Sequence, residues 1–325
     1  MTASSNPRFD LHARITQTIV AAIEAGAKGD EFEMPWHRPG TAFDVPRNVL
    51  TGKPYHGINV LSLWIDADEK KFTRQRWATF KQWEQMNCHV RKGEKGSLIV
   101  KYGTWTPNAA TPKGSPGNAA ANADNDGGDS AERLYARPAW VFNAAQVDGA
   151  ETEADSPRPD LTTRLEAVDR FIAATGASIG HGGTRAFYRR PPADLIMMPP
   201  RNLFTGTSTS TPTESYYATQ LHELSHWTGA EHRLNRSFGK RFGDHDYALE
   251  ELCAELSAAY LCAELSISNA PRLDHARYLE NWLAALKADT RAIFAAASAA
   301  SRASQFLIAL QPAASADDAA AIKAA

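Results

Sequence analysis

Thr211-Pro-Thr-Glu-Ser-Tyr-Tyr-Ala-Thr-Gln-Leu-His222-Glu223-Leu-Ser-His226-Trp-Thr-Gly229 is the stretch on which the reading of this chain turns. It carries its own start and stop signals. Thr211 can cap a helix with Glu214 reaching back from three residues on, a capping box, and Pro212 suits the first helical position. Gly229 stands where such a helix would end. The predicted helix over 212–228 puts His222 and His226 about one turn apart, so both leave the same face and can share one metal ion. Glu223 sits beside them, placed to take a proton from water activated there. His-Glu-x-x-His is the zincin arrangement, with Zn2+ the expected cofactor and Glu223 the general base.

A catalytic zinc also needs a third protein ligand and an open position. No further His is read at the metzincin spacing, so a carboxylate on a later helix is the expected ligand. The predicted helix over 246–268 supplies candidates, since Glu250, Glu251 and Glu255 lie among Leu249, Leu252, Cys253 and Leu256. Carboxylates on a buried face are costly unless paired or metal-bound. The Glu251-x-x-x-Glu255 spacing resembles the Glu-x-x-x-Asp of gluzincins, in which the first carboxylate binds zinc and the second orients a ligating His. Glu251 is therefore assigned as ligand and Glu255 as the carboxylate behind a ligand, with Glu250 left as the alternative to Glu251. Tyr216, Tyr217, Arg233 and Tyr247 could polarise a scissile carbonyl, and the sequence does not rank them.

A second chemical signature lies far upstream. Between Lys70 and Lys101 nine Lys or Arg residues face two acids, Glu84 and Glu94, with Phe72, Trp77, Phe80, Trp83 and His89 interleaved and Tyr102 following. Cations that track phosphates beside rings on which bases stack are what binding to single strands requires. Arg74, Arg76, Trp77, Lys81, Arg91, Lys92, Lys95 and Lys101 are the expected contacts. Arg91-Lys-Gly-Glu-Lys-Gly96 reads as a cationic turn suited to backbone phosphates.

The rest of the chain sets bounds. Its 325 residues have a hydrophobic fraction of 43%, a charged fraction of 22% and a formal net charge of −2, so charge distribution rather than total charge speaks about partners. Cys88, Cys253 and Cys262 form no Cys-x-x-Cys spacing, which excludes a thiolate zinc knot and suits a reducing, cytoplasmic setting. No basic region followed by an apolar stretch opens the chain, and no run approaches the roughly 18 apolar residues of a span, so neither a signal peptide nor a membrane partner is expected.

An apolar stripe at Leu11, Ile15, Ile19 and Ile23 predicts a helix ending near Gly26. Pro and Gly from Pro35 to Gly57 predict loop. A helix over Trp77–Met86 and strands over Ser97–Tyr102 and Ala139–Asn143 follow. Between those strands, 107–130 is nearly all small or polar and is expected to be a disordered insertion. Further helices are expected over Leu161–Ala174 and 273–311, the latter broken once, and a strand over Leu195–Met198. The organisation expected is 1–150 for DNA binding, a linker at 151–160, 161–312 for the metal site, and a frayed tail at 313–325. The fold class is α+β, a small antiparallel sheet with helices followed by a mainly helical domain with one short sheet over the metal-site helix.

Ordered landmarks then carry a resemblance. They are Pro35-Trp36, Pro46-Arg-Asn48, Thr51-Gly-Lys-Pro-Tyr55, Gly57-Ile-Asn59, Trp77-Ala-Thr-Phe-Lys-Gln82, Val90-Arg-Lys-Gly-Glu-Lys-Gly96, and Val141-Phe-Asn143 with Gln146. The second half adds Tyr216-Tyr217, His222 to Gly229, Arg233-Leu-Asn-Arg236, Phe242-Gly243, Tyr247, Glu250-Glu251 and Ala254-Glu255. The chain resembles the ArdC-type antirestriction proteins of conjugative plasmids and the related region of conjugative TraC primases. The resemblance implies an N-terminal domain that binds single-stranded DNA without sequence preference, a zincin-like metallopeptidase domain, and protection of incoming plasmid DNA from restriction. A protein substrate is the further partner it allows.

Overall fold

The structure is a computed structural model that describes residues 9–28, 34, 36, 44–105, 133–150, 160–207, 210–237, 245–268 and 275–312. The insertion expected at 107–130, the tail at 313–325 and the linker as far as 159 lie outside the described residues.

Helix α1 (Leu11–Ala27) is capped by Asp10, whose carboxylate accepts from the Ala13 N–H at 3.0 Å, and it buries the expected stripe. It packs on α2 (Ile58–Glu69), which no periodic signal announces. The reason is burial on more than one side. Ile58, Val60, Leu61, Leu63, Trp64 and Ile65 are all buried, so the run is apolar all round rather than striped. Gly57 precedes it at φ 57°, in the left-handed region that favours glycine.

Four strands make the first sheet, in the order β1-β2-β5-β4. β1 (Arg47–Asn48) runs parallel to β2 (Arg76–Ala78), and the other pairs are antiparallel. The parallel edge departs from the antiparallel sheet expected, and β1 lies in the stretch expected to be loop. The β4 (Ser97–Trp105) and β5 (Arg133–Asn143) hairpin is longer than the strands predicted, pairing Ser97 with Val141 through to Trp105 with Arg133. A two-stranded ribbon, β3 (His89–Val90) with β6 (Val147–Asp148), closes this half.

The helix expected over Trp77–Met86 is shorter. α3 (Phe80–Gln85) begins only after Thr79, which forms a capping box with Gln82. Trp77 and Ala78 belong to β2 instead.

The second half is mainly helical. α4 (Leu161–Ala174) leads into a three-stranded sheet, β7 (Ser178–His181), β8 (Phe187–Arg189) and β9 (Leu195–Met198), with β9 central. β8 and β9 lie against α5 (Pro212–Thr228), the sheet-over-helix arrangement expected. α6 (His245–Glu264) packs between α5 and the pair α7 (His275–Ala288) and α8 (Ala292–Ala309).

α8 is long and apolar enough to cross a bilayer by length and composition, yet its Ala296, Ala297, Ala300 and Ala303 are buried. Small residues there face a helix bearing Ala254, Ala258, Ala259 and Cys262, which permits a close approach of the two axes.

One core runs from Leu11 to Leu307 and includes both halves. Polar ties cross it. The Gly57 N–H donates to Ser301 Oγ at 2.7 Å, Tyr260 donates to the Gly57 carbonyl at 3.2 Å, and Thr16 donates to the Thr290 carbonyl at 2.6 Å.

Candidate metal centre and nucleic-acid face

α5 forms as its local signals dictate. Thr211 Oγ1 accepts from the Glu214 N–H at 3.2 Å while the Glu214 carboxylate accepts from the Thr211 N–H at 3.0 Å, and Pro212 occupies the first turn. Gly229 follows as the cap residue for another reason than the one expected. Its φ is −76°, open to any residue, but a Cβ there would stand 3.0 Å from the Arg236 guanidinium. The glycine makes room for Arg236.

The helix delivers two imidazoles to one point. His222 Nε2 and His226 Nε2 lie 3.1 Å apart, and the Glu251 carboxylate from α6 turns a different oxygen to each, Oε2 at 3.5 Å from His222 and Oε1 at 3.5 Å from His226. A tetrahedral ion with bonds of about 2.0–2.1 Å separates its ligand atoms by about 3.3–3.4 Å. The three observed separations bracket that value, so the donor set fits a divalent ion of zinc size. Glu223 is buried on the same helix beside His222.

Each imidazole turns its other nitrogen to a carboxylate of α6. His226 Nδ1 lies 3.0 Å from Glu250 Oε1, and His222 Nδ1 lies 3.4 Å from Glu255 Oε2, the latter a close contact without hydrogen-bond alignment. Glu250 is itself gripped by Arg236, which donates from Nε at 2.8 Å and from Nη2 at 2.7 Å. Arg236 further donates to the Ser225 carbonyl and Thr228 Oγ1. The structure thus brings His222, His226 and Glu251 together and puts Glu250 and Glu255 behind them. Glu250, the alternative to Glu251, faces the far nitrogen of His226.

Charge balance follows from this packing. Burial pushes the Glu250 carboxyl up, but hydrogen bonds from Arg236 and His226 outweigh it and bring it to about 2. Burial also pushes Glu251 up, and the two imidazoles, His226 first, hold it far below the usual carboxylate range. Burial works against a charged His226, yet Glu251 and Glu250 lift it to about 10. The cluster therefore carries a cation by design, a proton or a metal.

His232 is a residue that sequence reasoning passed over. His222-Glu-Leu-Ser-His226-Trp-Thr-Gly229-Ala-Glu-His232 satisfies the metzincin spacing, with His232 the third ligand of that class. The structure does not use it so. His232 is exposed, with Nε2 2.6 Å from the Arg233 guanidinium and 3.6 Å from Asp194. Arg233, weighed as a carbonyl-polarising group, is committed elsewhere. It grips Asp194 with two hydrogen bonds, at 2.6 and 3.0 Å, lies 3.8 Å over the Trp227 ring and ties β8 and β9 to the end of α5. Tyr216 is similarly occupied, 2.8 Å from His181 Nε2 and under the Arg201 guanidinium.

The basic half divides differently. Arg76, Lys81, Arg91, Lys92, Lys95 and Lys101 are exposed, and Arg74 is half-buried. Trp77 is a correction. It is fully buried in a cluster with Leu63, Ile99 and Val141, and its indole N–H donates to Gln75, so no base can stack on it. Trp83 is buried too. Phe80, Tyr102 and Trp140 are exposed, the last of which sequence reasoning missed. Arg91 is held by Glu94 and Asp148, whereas Arg76, Lys81, Lys92, Lys95 and Lys101 form no ion pair among the described residues. Lys101 stands directly across from Arg137, also missed, on one face of the β4–β5 hairpin.

Comparison with known proteins agrees with this division. Residues 9–142 match the family model described as the N-terminal domain of anti-restriction factor ArdC, and residues 166–299 match a zincin-like metallopeptidase model. The crystal structure of the antirestriction protein ArdC from plasmid R388, metal-free, superposes with a TM-score of 0.71 at 36% identity, covering 93% of this chain and 98% of that one. The chain belongs to the ArdC antirestriction family.

The Mn(II)-bound structure of the R388 protein matches with a TM-score of 0.70 at 34% identity. A zincin-like domain implies a metal ion, and that relative holds one. The uncharacterized protein y4eC of Sinorhizobium fredii (strain NBRC 101917 / NGR234) is 42% identical over 313 residues, 96% of each chain. The DNA primase TraC of Escherichia coli is 34% identical over 306 residues, which is 92% of this chain but 27% of the primase. The ArdC-like unit is therefore one part of those larger proteins.

Proposed function

We propose that this protein binds single-stranded DNA without sequence preference through its N-terminal half, carries a zinc metallopeptidase site in its C-terminal half, and protects DNA of a conjugative element from restriction in the recipient cytoplasm. The observation that carries the reading is the convergence of His222, His226 and Glu251 beside Glu223 in a chain of the ArdC family. His222, His226 and Glu251 would hold the ion. When bound, zinc supplies Lewis acidity that brings the pKa of water towards neutrality. Glu223 accepts the proton as water attacks and returns it to the leaving amine. Glu250 and Glu255 keep the two imidazoles in the tautomer that presents Nε2.

On the DNA side, like charges placed directly across a strand pair are destabilising, and Lys101 opposite Arg137 is such a pair. A phosphate backbone laid along that face relieves the repulsion, while Tyr102 and Trp140, on the opposite face of the same two strands, and Phe80 offer exposed rings for stacking. Cys88, Cys253 and Cys262 are buried thiols in no disulfide, which supports a reducing compartment.

Two variants test the assignment of roles. Glu223→Ala removes the base and no ligand, so zinc binding and single-strand affinity should persist while any cleavage of a protein substrate stops. Lys92→Glu with Lys95→Glu and Lys101→Glu should weaken DNA binding and leave zinc in place. If protection in a transfer assay survives the first and is lost in the second, DNA binding is the basis of antirestriction. The opposite pattern makes the protein a protease that DNA merely recruits.

A further inference from the structure

Each imidazole of the metal centre has an α6 carboxylate behind it, and those two carboxylates are held from different halves of the molecule. Behind His226, Glu250 is fixed by Arg236, a residue of the zincin-like half. Behind His222, Glu255 is fixed from outside that half. The Trp36 indole Nε1–H donates to Glu255 Oε1 at 3.3 Å, while Glu255 Oε2 lies 3.4 Å from His222 Nδ1. Trp36 is fully buried and Glu255 nearly so, which puts the bond in a low-dielectric interior where it is strong. Residue 36 lies within the span matched by the ArdC N-terminal domain.

We propose that Trp36 is a positioning residue of the metal site, so that the N-terminal domain sets metal affinity in the C-terminal one. The indole N–H occupies one carboxylate oxygen and turns the other to His222 Nδ1. The negative charge of that carboxylate, 3.4 Å from Nδ1, favours the tautomer protonated there, and His222 Nε2 faces His226 and Glu251. A Trp side chain gives this bond a rigid donor, since its ring is clamped in the core. The inference rests on the metal reading above, and the experiment separates the two.

In the full-length protein, Trp36→Phe keeps a buried aromatic ring and removes the indole N–H donor together with the five-membered ring. The dissociation constant for Zn2+, measured by competition with a chromogenic chelator, should rise about tenfold, the lower end of what loss of such an outer partner costs. The visible absorption of the Co2+-loaded protein should shift with it, as the His222 ring reorients. Because Trp36 acts through Glu255, the same substitution in a Glu255→Gln background should change the constant by less than about twofold, the limit of additivity for uncoupled sites. Equal weakening in both backgrounds means a general loosening of the fold and overturns the proposal, as does a Trp36→Phe constant equal to that of wild type. If wild type and His222→Ala take up Zn2+ alike, the metal reading itself fails and this one with it.

Discussion

Glu250, behind His226, is held by two hydrogen bonds from an arginine as buried as itself, whereas Lys95 and Lys101 stand in solvent and form no ion pair among the described residues. The metal centre is built inward, its buried carboxylates set close against imidazole and guanidinium groups. The cationic face of the N-terminal half is built outward, its charges left for a ligand to answer. A site of the first kind should fail through geometry, by loss of metal or of stability. One of the second should fail through charge, in proportion to the number removed, with the fold indifferent.

The sharpest test of the inward site is removal of a ligand. His222→Ala should reduce stoichiometric zinc, read by elemental analysis after dialysis, to background. In the wild type, apparent zinc affinity should rise with pH across the neutral range. Glu251 and Glu250 raise His226 above its ordinary value, so the metal-free site holds a proton there that must leave when metal enters. Fewer protons need displacing as pH climbs, and affinity increases. Zinc affinity flat between pH 6 and pH 9 breaks the picture of a cation-holding cluster.

Next in size is Arg236→Ala. It leaves Glu250 buried with its main partner gone, and breaking a buried pair from one side costs about 3–5 kcal/mol. Urea unfolding of the metal-free protein should show a loss of that order. A loss below about 1 kcal/mol, the range of exposed ion pairs, means that the Arg236–Glu250 pair is solvated in practice and that the centre is less closed than its geometry implies.

The two regions also differ in how much of them the sequence discloses. Helix α5 is written in local terms: Thr211, Pro212 and Glu214 start it, and helical pitch alone brings His222 and His226 together. Glu251 against Glu250 could not be decided that way. The two are adjacent and both end on His226, at opposite ring nitrogens, and only the packing of α6 on α5 assigns them. His232 shows the converse, a spacing that fits a metal ligand while the chain after Gly229 turns its side chain to Asp194 and solvent. Trp36 was unreadable as a metal-site residue because its partner lies 219 positions away.

In the N-terminal half the aromatic spacing misled. Flanking cations make Trp77 read as a stacking platform, but Arg76 is exposed while the Trp77 ring is buried with Leu63, Ile99 and Val141. The signal that could have corrected it is the capping box of Thr79 and Gln82, which starts α3 after Trp77 and leaves 76–78 extended.

For the outward face, charge reversal at Lys92, Lys95 and Lys101 should reduce the salt dependence of single-strand affinity. Each phosphate contact contributes about 0.7 to the slope of log K against log salt, so losing three lowers it by about 2. Stability should change by less than about 0.5 kcal/mol, as for surface substitutions generally. A preserved slope moves the DNA elsewhere on the molecule.

The smallest effect discriminates best, because it separates rings by exposure alone. Trp140 is 52% exposed and Trp77 is not exposed at all. Removing a ring on which a base stacks costs about 1–3 kcal/mol of binding, so Trp140→Ala should weaken affinity for a short oligonucleotide by that amount in a fluorescence titration and barely move the unfolding midpoint. Trp77→Ala should do the reverse, costing about 3–5 kcal/mol of stability through the cavity it leaves, with affinity unchanged for the fraction that stays folded. If Trp140→Ala binds as wild type does, the exposed rings of the hairpin are not platforms. Cations alone then carry the DNA, and the outward site is simpler than its aromatic residues imply.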